Sequence, residues 1–243
     1  MTKDNMTIRF MPDGFSFIDC RDTTSEQLDA APFHEVSPGP DFQQRLHEAV
    51  LNVLPESDTP LDLTVQILSE RVIILPPDTE PDLAASMYHA TLSDLEEPEQ
   101  VLLQPLALPS GQQVALCFGI DRQLYLFLER NCGDLRFEHH LATLLQGTPS
   151  SHLMAAPSAQ PSCLATQVTP QYLELALFRA DQLVLANVYR TSQPENRRYY
   201  VLNTWLCEGL DQLNDHLLIL GNGDPASRLH QDLRPFIKQI LLQ

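Results

Sequence analysis

The stretch LATQVTPQYLELALFRADQLVLANV, residues 164–188, decides the fold class of this chain. It holds three runs rich in aliphatic residues, 164–168, 172–179 and 183–188, and two short turns separate them. Leucines occupy every second position of the middle run, so they share one face of a strand, whose successive side chains point to opposite sides. These leucines are Leu173, Leu175 and Leu177. The stretch predicts a three-stranded antiparallel meander.

A helix and a buried strand are predicted after the meander. Pro194 suits the first turn of a helix and Gly209 its end, which predicts a helix between them. The apolar stripe of this helix is expected at Tyr199, Leu202 and Leu206. The continuous apolar run 217–220 indicates a strand buried on both faces, after which helices resume until Pro235 interrupts them. The C-terminal part is therefore predicted as β-β-β-α-β-α.

The N-terminal part begins with the same plan. Asp13-Gly14 separates the β-prone runs 8–11 and 15–20, and an Asp-Gly pair is the usual turn of a β-hairpin. Residues 33–36 provide a matching third strand before a long helix. The two halves are variants of one unit, so the predicted class is α/β with an actin-like (ribonuclease-H-like) two-lobed fold. Each lobe is expected to be a mixed sheet that starts with an antiparallel hairpin or meander and is covered by helices.

Additional elements extend the first lobe. A second hairpin is predicted over 61–75, strands over 100–108 and 112–118, and a helix that Asp121 caps. Residues 147–161 are rich in Pro, Ser and Ala and lack periodicity, which is typical of a linker. The predicted division is an N-terminal lobe with an inserted subdomain (1–150), a linker (151–161) and a C-terminal lobe (162–243).

Acidic residues outnumber basic ones by 32 to 15, for a formal net charge of −17. Residues 1–157 carry 24 acidic and 8 basic side chains, whereas residues 158–243 carry 8 and 7. This balance argues against a nucleic-acid partner, whose phosphates need clustered cations. It indicates either a solubilising surface or a docking face, on the N-terminal lobe, for a protein partner of basic character.

The five cysteines lie far apart and form no Cys-x-x-Cys pair, which suits reduced thiols better than disulfides or a zinc site. No apolar run approaches the ~18 residues of a membrane span, and the N-terminus lacks the apolar core of a signal peptide. We therefore expect a cytoplasmic protein that does not insert directly into membranes.

Several stretches resemble an uncharacterised family of Bacteroidetes proteins, domain of unknown function 3822: residues 183–187, 197–202 and 217–221. The opening residues 8–17 and the segment 114–145, which contains His139-His140, are similar to the same family. The resemblance implies an actin-like ATPase fold, distantly similar to the cytoplasmic actin-like proteins of type IV pilus and type II secretion machinery. It implies no established activity.

Actin-like ATPases hold nucleotide phosphates in two hairpin turns, one per lobe, through backbone N–H groups and carboxylates that arrange Mg²⁺. In the first candidate turn only Asp13 and Gly14 fit, and a plain hairpin explains both. The second turn, 168–172 with Thr169 inside it, has neither glycine nor carboxylate, and Pro170 lacks a backbone donor.

A third candidate is Gly221-Asn222-Gly223, which follows the buried strand where such folds bring backbone close to adenosine. A plain β-to-α turn uses glycine for the same steric reason. The candidate nucleotide site, with ATP and Mg²⁺ as its ligand, consists of Asp13, Gly14, Thr169, Gly221, Asn222 and Gly223.

Other chemistries find less support. A two-metal nuclease needs a third carboxylate beside Asp19 and Asp62. His139-His140 has no further ligand at a metal-binding spacing and suits capping or packing at the start of a helix. Walker, nucleophile-elbow and dinucleotide motifs do not occur in the sequence. We predict no catalytic residue and no metal site.

The sequence thus favours a non-catalytic scaffold or adaptor that acts through protein contacts and needs no cofactor. The alternative is a nucleotide-binding or weakly hydrolysing member of the actin-like superfamily. Whether ATP binds separates the two.

Overall fold

The computed structural model describes residues 5–19, 31–37, 39–54, 62–92, 99–148, 161–221 and 223–243. The described part of Met1–Gln104 and Leu116–His140 forms one compact unit, here unit 1. The described part of Pro105–Ala115 and Leu141–Gln243 forms a second, unit 2.

The strands are β1 (Asn5–Met11), β2 (Gly14–Asp19), β3 (Phe33–Glu35), β4 (Asp62–Ile67), β5 (Val72–Leu75), β6 (Glu99–Ala107), β7 (Gln113–Asp121), β8 (Leu135–His139), β9 (Cys163–Val168), β10 (Tyr172–Arg179), β11 (Gln182–Arg190), β12 (His216–Leu220) and β13 (Gln239–Leu242). The helices are α1 (Phe42–Val53), α2 (Pro81–Thr91), α3 (Arg122–Asn131), α4 (Leu141–Gly147), α5 (Pro194–Cys207) and α6 (Asp224–Leu233).

Unit 1 is built on a five-stranded mixed sheet in the order β3-β2-β1-β4-β8. The predicted hairpin of β1 and β2 is present, β3 pairs antiparallel with β2, and β4 and β8 continue the sheet in parallel. Helix α3 begins at the predicted cap, because the Asp121 carboxylate accepts a hydrogen bond of 2.8 Å from the Leu124 N–H.

The hairpin predicted over 61–75 is wrong. Strand β4 pairs with β1 on one side and β8 on the other, so both of its edges are occupied. Strand β5 instead lies in a separate three-stranded sheet of order β5-β7-β6. A short connection permits a hairpin, but the parallel pairing of β4 leaves no edge for β5.

Unit 2 confirms the predicted meander and extends it. Its sheet has the order β11-β10-β9-β12-β13, with β9, β10 and β11 antiparallel and β12 parallel to β9. Helices α5 and α6 cover the face that carries the alternating leucines of β10. The core on this side includes Leu164, Leu173, Leu175, Leu177, Val201, Leu217, Ile219, Leu229 and Leu233.

The end of the chain differs from the predicted succession of helices. Helix α6 ends at Leu233, two residues before Pro235, as expected of a residue that cannot continue a helix. The chain then returns as β13, parallel to β12. An apolar run as short as 240–242 does not distinguish a strand from a helix by periodicity.

The linker predicted over 151–161 lies outside the described residues except for Pro161, so the division at this point stays a prediction. Helix α4, which ends just before it, belongs to unit 2. None of the helices in the described ranges is both long and apolar enough to cross a bilayer.

Candidate functional site

The first candidate turn is a tight hairpin whose glycine is needed for packing. Gly14 has φ +154°, and a Cβ atom there would collide with the carbonyl oxygen of His34 in β3. The carbonyl of Asp13 accepts a hydrogen bond of 2.9 Å from the Val36 N–H. The Asp-Gly pair therefore serves the docking of β3 on the hairpin.

The second candidate turn uses its own backbone donors. The Thr169 N–H donates to the Tyr172 carbonyl over 3.0 Å, and the Tyr172 N–H donates to the Thr169 hydroxyl over 3.1 Å. Pro170 between them has no N–H. Two of the amides that could face a phosphate are thus engaged within the turn.

The same turn is held from helix α5 by Arg197. The Arg197 guanidinium donates to the carbonyls of Thr169 and Pro170 over 2.8 and 2.6 Å, and to that of Thr191 over 3.2 Å. Only 4% of Arg197 is exposed, and this burial lowers the pKa of its guanidinium. Carbonyl oxygens bind Nη2 of this group, whereas Nε is buried without a hydrogen-bond partner among the described residues. Arg197 thereby ties the start of α5 to the turn between β9 and β10 and to the residue that follows β11.

Arg197 was absent from the predicted site, although the sequence carried a signal for it. The buried residues of α5 are Arg197, Val201, Thr204 and Trp205. They follow one another at the spacing of a helical stripe, and a charged residue on such a stripe needs hydrogen-bond partners inside the protein. The stripe predicted at Tyr199, Leu202 and Leu206 is wrong, because Leu206 is 79% exposed and Tyr199 is 61% exposed.

The third candidate lies beside the second turn in unit 2. Gly221 has φ +126°, and a Cβ atom there would lie 3.1 Å from the Val168 carbonyl oxygen. Gly223 has φ +90° and precedes α6, where its carbonyl accepts the Ser227 N–H over 3.2 Å. Asn222 lies outside the described residues. The structure thus brings Gly221 close to the Thr169 turn.

His139 and His140 lie at the end of β8 and directly before α4, and both are fully buried. The Nε2 atom of His139 lies 3.1 Å from the Ser69 carbonyl oxygen, an acceptor, so Nε2 carries the proton. Burial, together with the neighbouring His140, lowers the pKa of His139 to about 3. The ring of His139 is therefore neutral. Among the described residues no three His, Cys, Asp or Glu side chains are placed to hold a metal ion.

A second group of titratable side chains joins α2 to the three-stranded sheet. The Tyr88 hydroxyl donates to Glu99 over 2.6 Å, and Arg71 forms an ion pair of 3.1 Å with the same carboxylate. Burial and the bond to Glu99 raise the pKa of Tyr88. A side chain on Gly119 would collide with this pair, so that glycine leaves space for it.

Two mixed sheets that begin with an antiparallel hairpin or meander and continue with parallel strands define an actin-like fold. Solved structures share it. A Bacteroides thetaiotaomicron protein with actin-like ATPase fold and unknown function matches 99% of this chain and 91% of its own, with 22% identity and a TM-score of 0.71. The PilM–PilN type IV pilus biogenesis complex contains a chain that matches 99% of this one and 88% of its own, with 13% identity and a TM-score of 0.56.

The chain belongs to the family described as "Protein of unknown function (DUF3822)", whose model matches residues 1–240. The resemblance found in the sequence is therefore confirmed for both the family and the fold. None of the curated proteins matches the chain.

Proposed function

We propose that the chain is a non-catalytic actin-like scaffold or adaptor that acts through contacts with other proteins. The observation that carries the proposal is the closed second turn. The amides of Thr169 and Tyr172 are used within the turn, and Arg197 binds its carbonyls. A phosphate site at this turn needs outward backbone N–H groups, which such an arrangement supplies poorly.

Opening the turn would remove hydrogen bonds that nucleotide binding must replace. The carbonyls of Thr169 and Pro170 would lose their charged donor, Arg197. Water could replace the donor at these carbonyls, since Thr169 is half-buried and Pro170 is exposed, but the buried Arg197 would lose its acceptors. A buried polar group left unsatisfied costs about 1–3 kcal/mol. A scaffold that binds no nucleotide keeps the turn closed and loses none of these hydrogen bonds.

The expected partner is a protein of basic character that docks on the N-terminal lobe. Support comes from the charge of residues 1–157, which carry 24 acidic and 8 basic side chains. Opposite charges steer such an encounter and favour the matching partner. A chain of similar fold takes part in the PilM–PilN type IV pilus biogenesis complex, so the fold has a precedent as a member of a protein assembly.

A reducing compartment, the cytoplasm, is part of this proposal. Cys117, Cys132, Cys163 and Cys207 are free thiols. Burial raises the pKa of Cys117 to about 11, so its thiol is protonated and inert. Unpaired cysteines in this number suit a protein that works where thiols stay reduced.

Weak nucleotide binding is the second candidate function, and one observation favours it. The positive φ of Gly221 and its approach to Val168 place the chain after β12 against the second turn. Backbone that approaches a turn this closely through glycine is a feature of nucleotide sites. Asp13, Gly14, Thr169, Gly221, Asn222 and Gly223 would then contribute, with ATP and Mg²⁺ as ligand.

Thermal unfolding with and without millimolar Mg-ATP separates the two functions. A scaffold with a closed turn is expected to show no change of melting temperature and no phosphate release. A ligand at 100 times its dissociation constant would stabilise the fold by about 2.7 kcal/mol, which raises the midpoint by roughly 2–4 °C per kcal/mol at this size.

The site residues decide how a positive result is interpreted. A shift that Asp13→Ala and Gly221→Ala each remove, while the exposed control Asp78→Ala keeps it, would overturn the scaffold proposal. The comparison is made within each variant, with and without nucleotide, so that a change in its own stability does not enter.

A further inference from the structure

The outer side of helix α5 carries apolar side chains that are exposed or only partly buried against the core. Leu206 is 79% exposed, and Leu202 lies beside it at the spacing of one helical turn. Large apolar side chains that cluster on a surface mark interaction sites more often than isolated ones do.

These side chains line one side of a groove in unit 2, the apolar groove. Its volume is about 360 Å³. Its other wall comes from the segment after α6, where Phe236 is exposed and Ile237 is buried. The apolar lining residues are Leu202, Trp205, Leu206, Leu210, Phe236 and Ile237.

A second groove, the basic groove, is lined by residues of the same segment. It has a volume of about 400 Å³ and is lined by His230, Arg234, Ile237, Lys238 and Ile240. Ile237 is common to both grooves. A ligand that extends from one groove to the other past Ile237 therefore meets apolar side chains in the first and cations in the second.

The cations of the basic groove are uncompensated. Within the described ranges, the side chains of Arg234 and Lys238 form no ion pair or hydrogen bond, and no carboxylate lines the groove with them. The groove is thus locally positive in a chain that carries 32 acidic and 15 basic residues. Two free cations beside an apolar surface are complementary to carboxylates on a ligand.

Strand β13 adds an unpaired edge to this surface. It is the outermost strand of its sheet and pairs, in the described part of the chain, with β12 alone. Ile240 of β13 lines the basic groove, and Leu241 and Leu242 are exposed. An exposed apolar edge is a template for an added peptide strand.

We infer that the apolar and basic grooves together bind a peptide segment of a partner protein that carries acidic side chains beside apolar ones. A nucleic acid or an anionic membrane fits less well, because two permanent cations must act against a net charge of −17. This surface and its occupant are distinct from the basic partner of the N-terminal lobe, and neither proposal depends on the other.

The test uses the full chain and a phage-displayed library of random short peptides. Peptides enriched on the wild type are expected to combine Asp or Glu with Leu, Ile or Phe. Their affinity, measured by fluorescence anisotropy, is expected to fall by at least about tenfold in Arg234→Glu/Lys238→Glu. Arg122→Glu/Arg228→Glu, which changes the net charge equally at exposed positions outside both grooves, is expected to bind as the wild type does.

A second pair of variants tests the apolar groove. Leu206→Asp is expected to weaken the same peptides, whereas Leu83→Asp, at an exposed leucine of unit 1, is expected not to. All four side-chain positions of the charge variants are exposed, so unchanged melting temperatures are expected throughout.

Four results would overturn the inference. The first is that no peptide is enriched on the wild type relative to Arg234→Glu/Lys238→Glu. The second is that the enriched peptides lack acidic residues. The third is that the test and control variants lose binding equally. The fourth is that the wild type binds vesicles of equal parts phosphatidylcholine and phosphatidylserine, or self-associates, and that Arg234→Glu/Lys238→Glu abolishes this binding or association. None of these results bears on whether Mg-ATP binds.

Discussion

The guanidinium of Arg197 lies 2.8 Å from the carbonyl oxygen of Thr169, so a residue on helix α5 holds the turn between β9 and β10. The same group reaches Pro170, in the same turn, and Thr191, directly after β11. All three carbonyls are bound by Nη2, whose two N–H groups are shared among them. The turn that would bind phosphate in an actin-like ATPase is thereby made part of the packing of α5.

Replacement of Arg197 is expected to destabilise the protein. A hydrogen bond to a charged group contributes about 1.5–3 kcal/mol, so Arg197→Met should lower the free energy of unfolding by at least about 2 kcal/mol. Arg197→Lys should recover part of the loss, because a single nitrogen, Nη2, makes all three bonds and an ammonium also carries its donors on one nitrogen. Urea unfolding measures both. Arg198→Met, at the exposed neighbouring position, should stay within about 0.5 kcal/mol of the wild type, and equal effects at the two sites would contradict the role of Arg197.

Gly14→Ala is expected to destabilise unit 1, because the new Cβ atom meets the His34 carbonyl and the backbone has φ +154°. A strained backbone position alone costs of order 1–3 kcal/mol. Gly147→Ala is the matched control, since nothing lies within 4 Å of its Cβ position at the end of α4. Calorimetric melting temperatures should fall for the first variant only. A stable Gly14→Ala protein would mean that β3 does not pack as described.

The free energy of unfolding is expected to decrease as the pH drops below about 6.5, because of His139. Its pKa is about 3 in the folded protein against 6.5 in the unfolded chain, so between these values the unfolded state binds the additional proton. The stability that the neutral His139 contributes is fully present above pH 6.5. At pH 5 about 2 kcal/mol of it has been lost, since one pKa unit corresponds to about 1.36 kcal/mol.

Urea unfolding as a function of pH checks this expectation. His139→Gln, whose amide can still donate to the Ser69 carbonyl, should flatten the curve between pH 6.5 and 5. The exposed residue His89 provides the control, and His89→Gln should leave the curve unchanged. Parallel curves for wild type and His139→Gln would rule out His139 as the cause.

Two tyrosine–glutamate hydrogen bonds of equal length offer a comparison of burial. Tyr88 donates to Glu99 over 2.6 Å from a fully buried position, and Tyr125 donates to Glu129 over 2.6 Å on the surface of α3. Tyr88→Phe should cost about 1–3 kcal/mol, because it removes a buried hydroxyl from a partly buried carboxylate and leaves Glu99 with one partner fewer. Tyr125→Phe should cost at most about 0.5 kcal/mol. Chemical denaturation of both variants measures the difference, and similar losses would show that burial does not control this pair.

Local sequence patterns were enough to predict the strands and turns that begin each unit. The alternation of Leu173, Leu175 and Leu177 places them on the helix-covered face of β10, and the Asp13-Gly14 turn joins β1 to β2. Asp121 caps α3 for a similar reason. Periodicity and turn chemistry act between residues that are close in the chain, so one sequence is sufficient to recognise them.

Tertiary structure decided which edges pair and which helix face is buried. The 61–75 segment satisfies every local requirement of a hairpin, yet β4 pairs with β1 and β8. Helix α5 buries Arg197 and leaves Leu206 exposed, because the carbonyls of the meander offer the guanidinium its partners. The sequence by itself thus determined the fold class and the first strands of each unit. The closed turn and the two grooves arise from contacts between residues far apart in the chain, whose energies no local pattern contains.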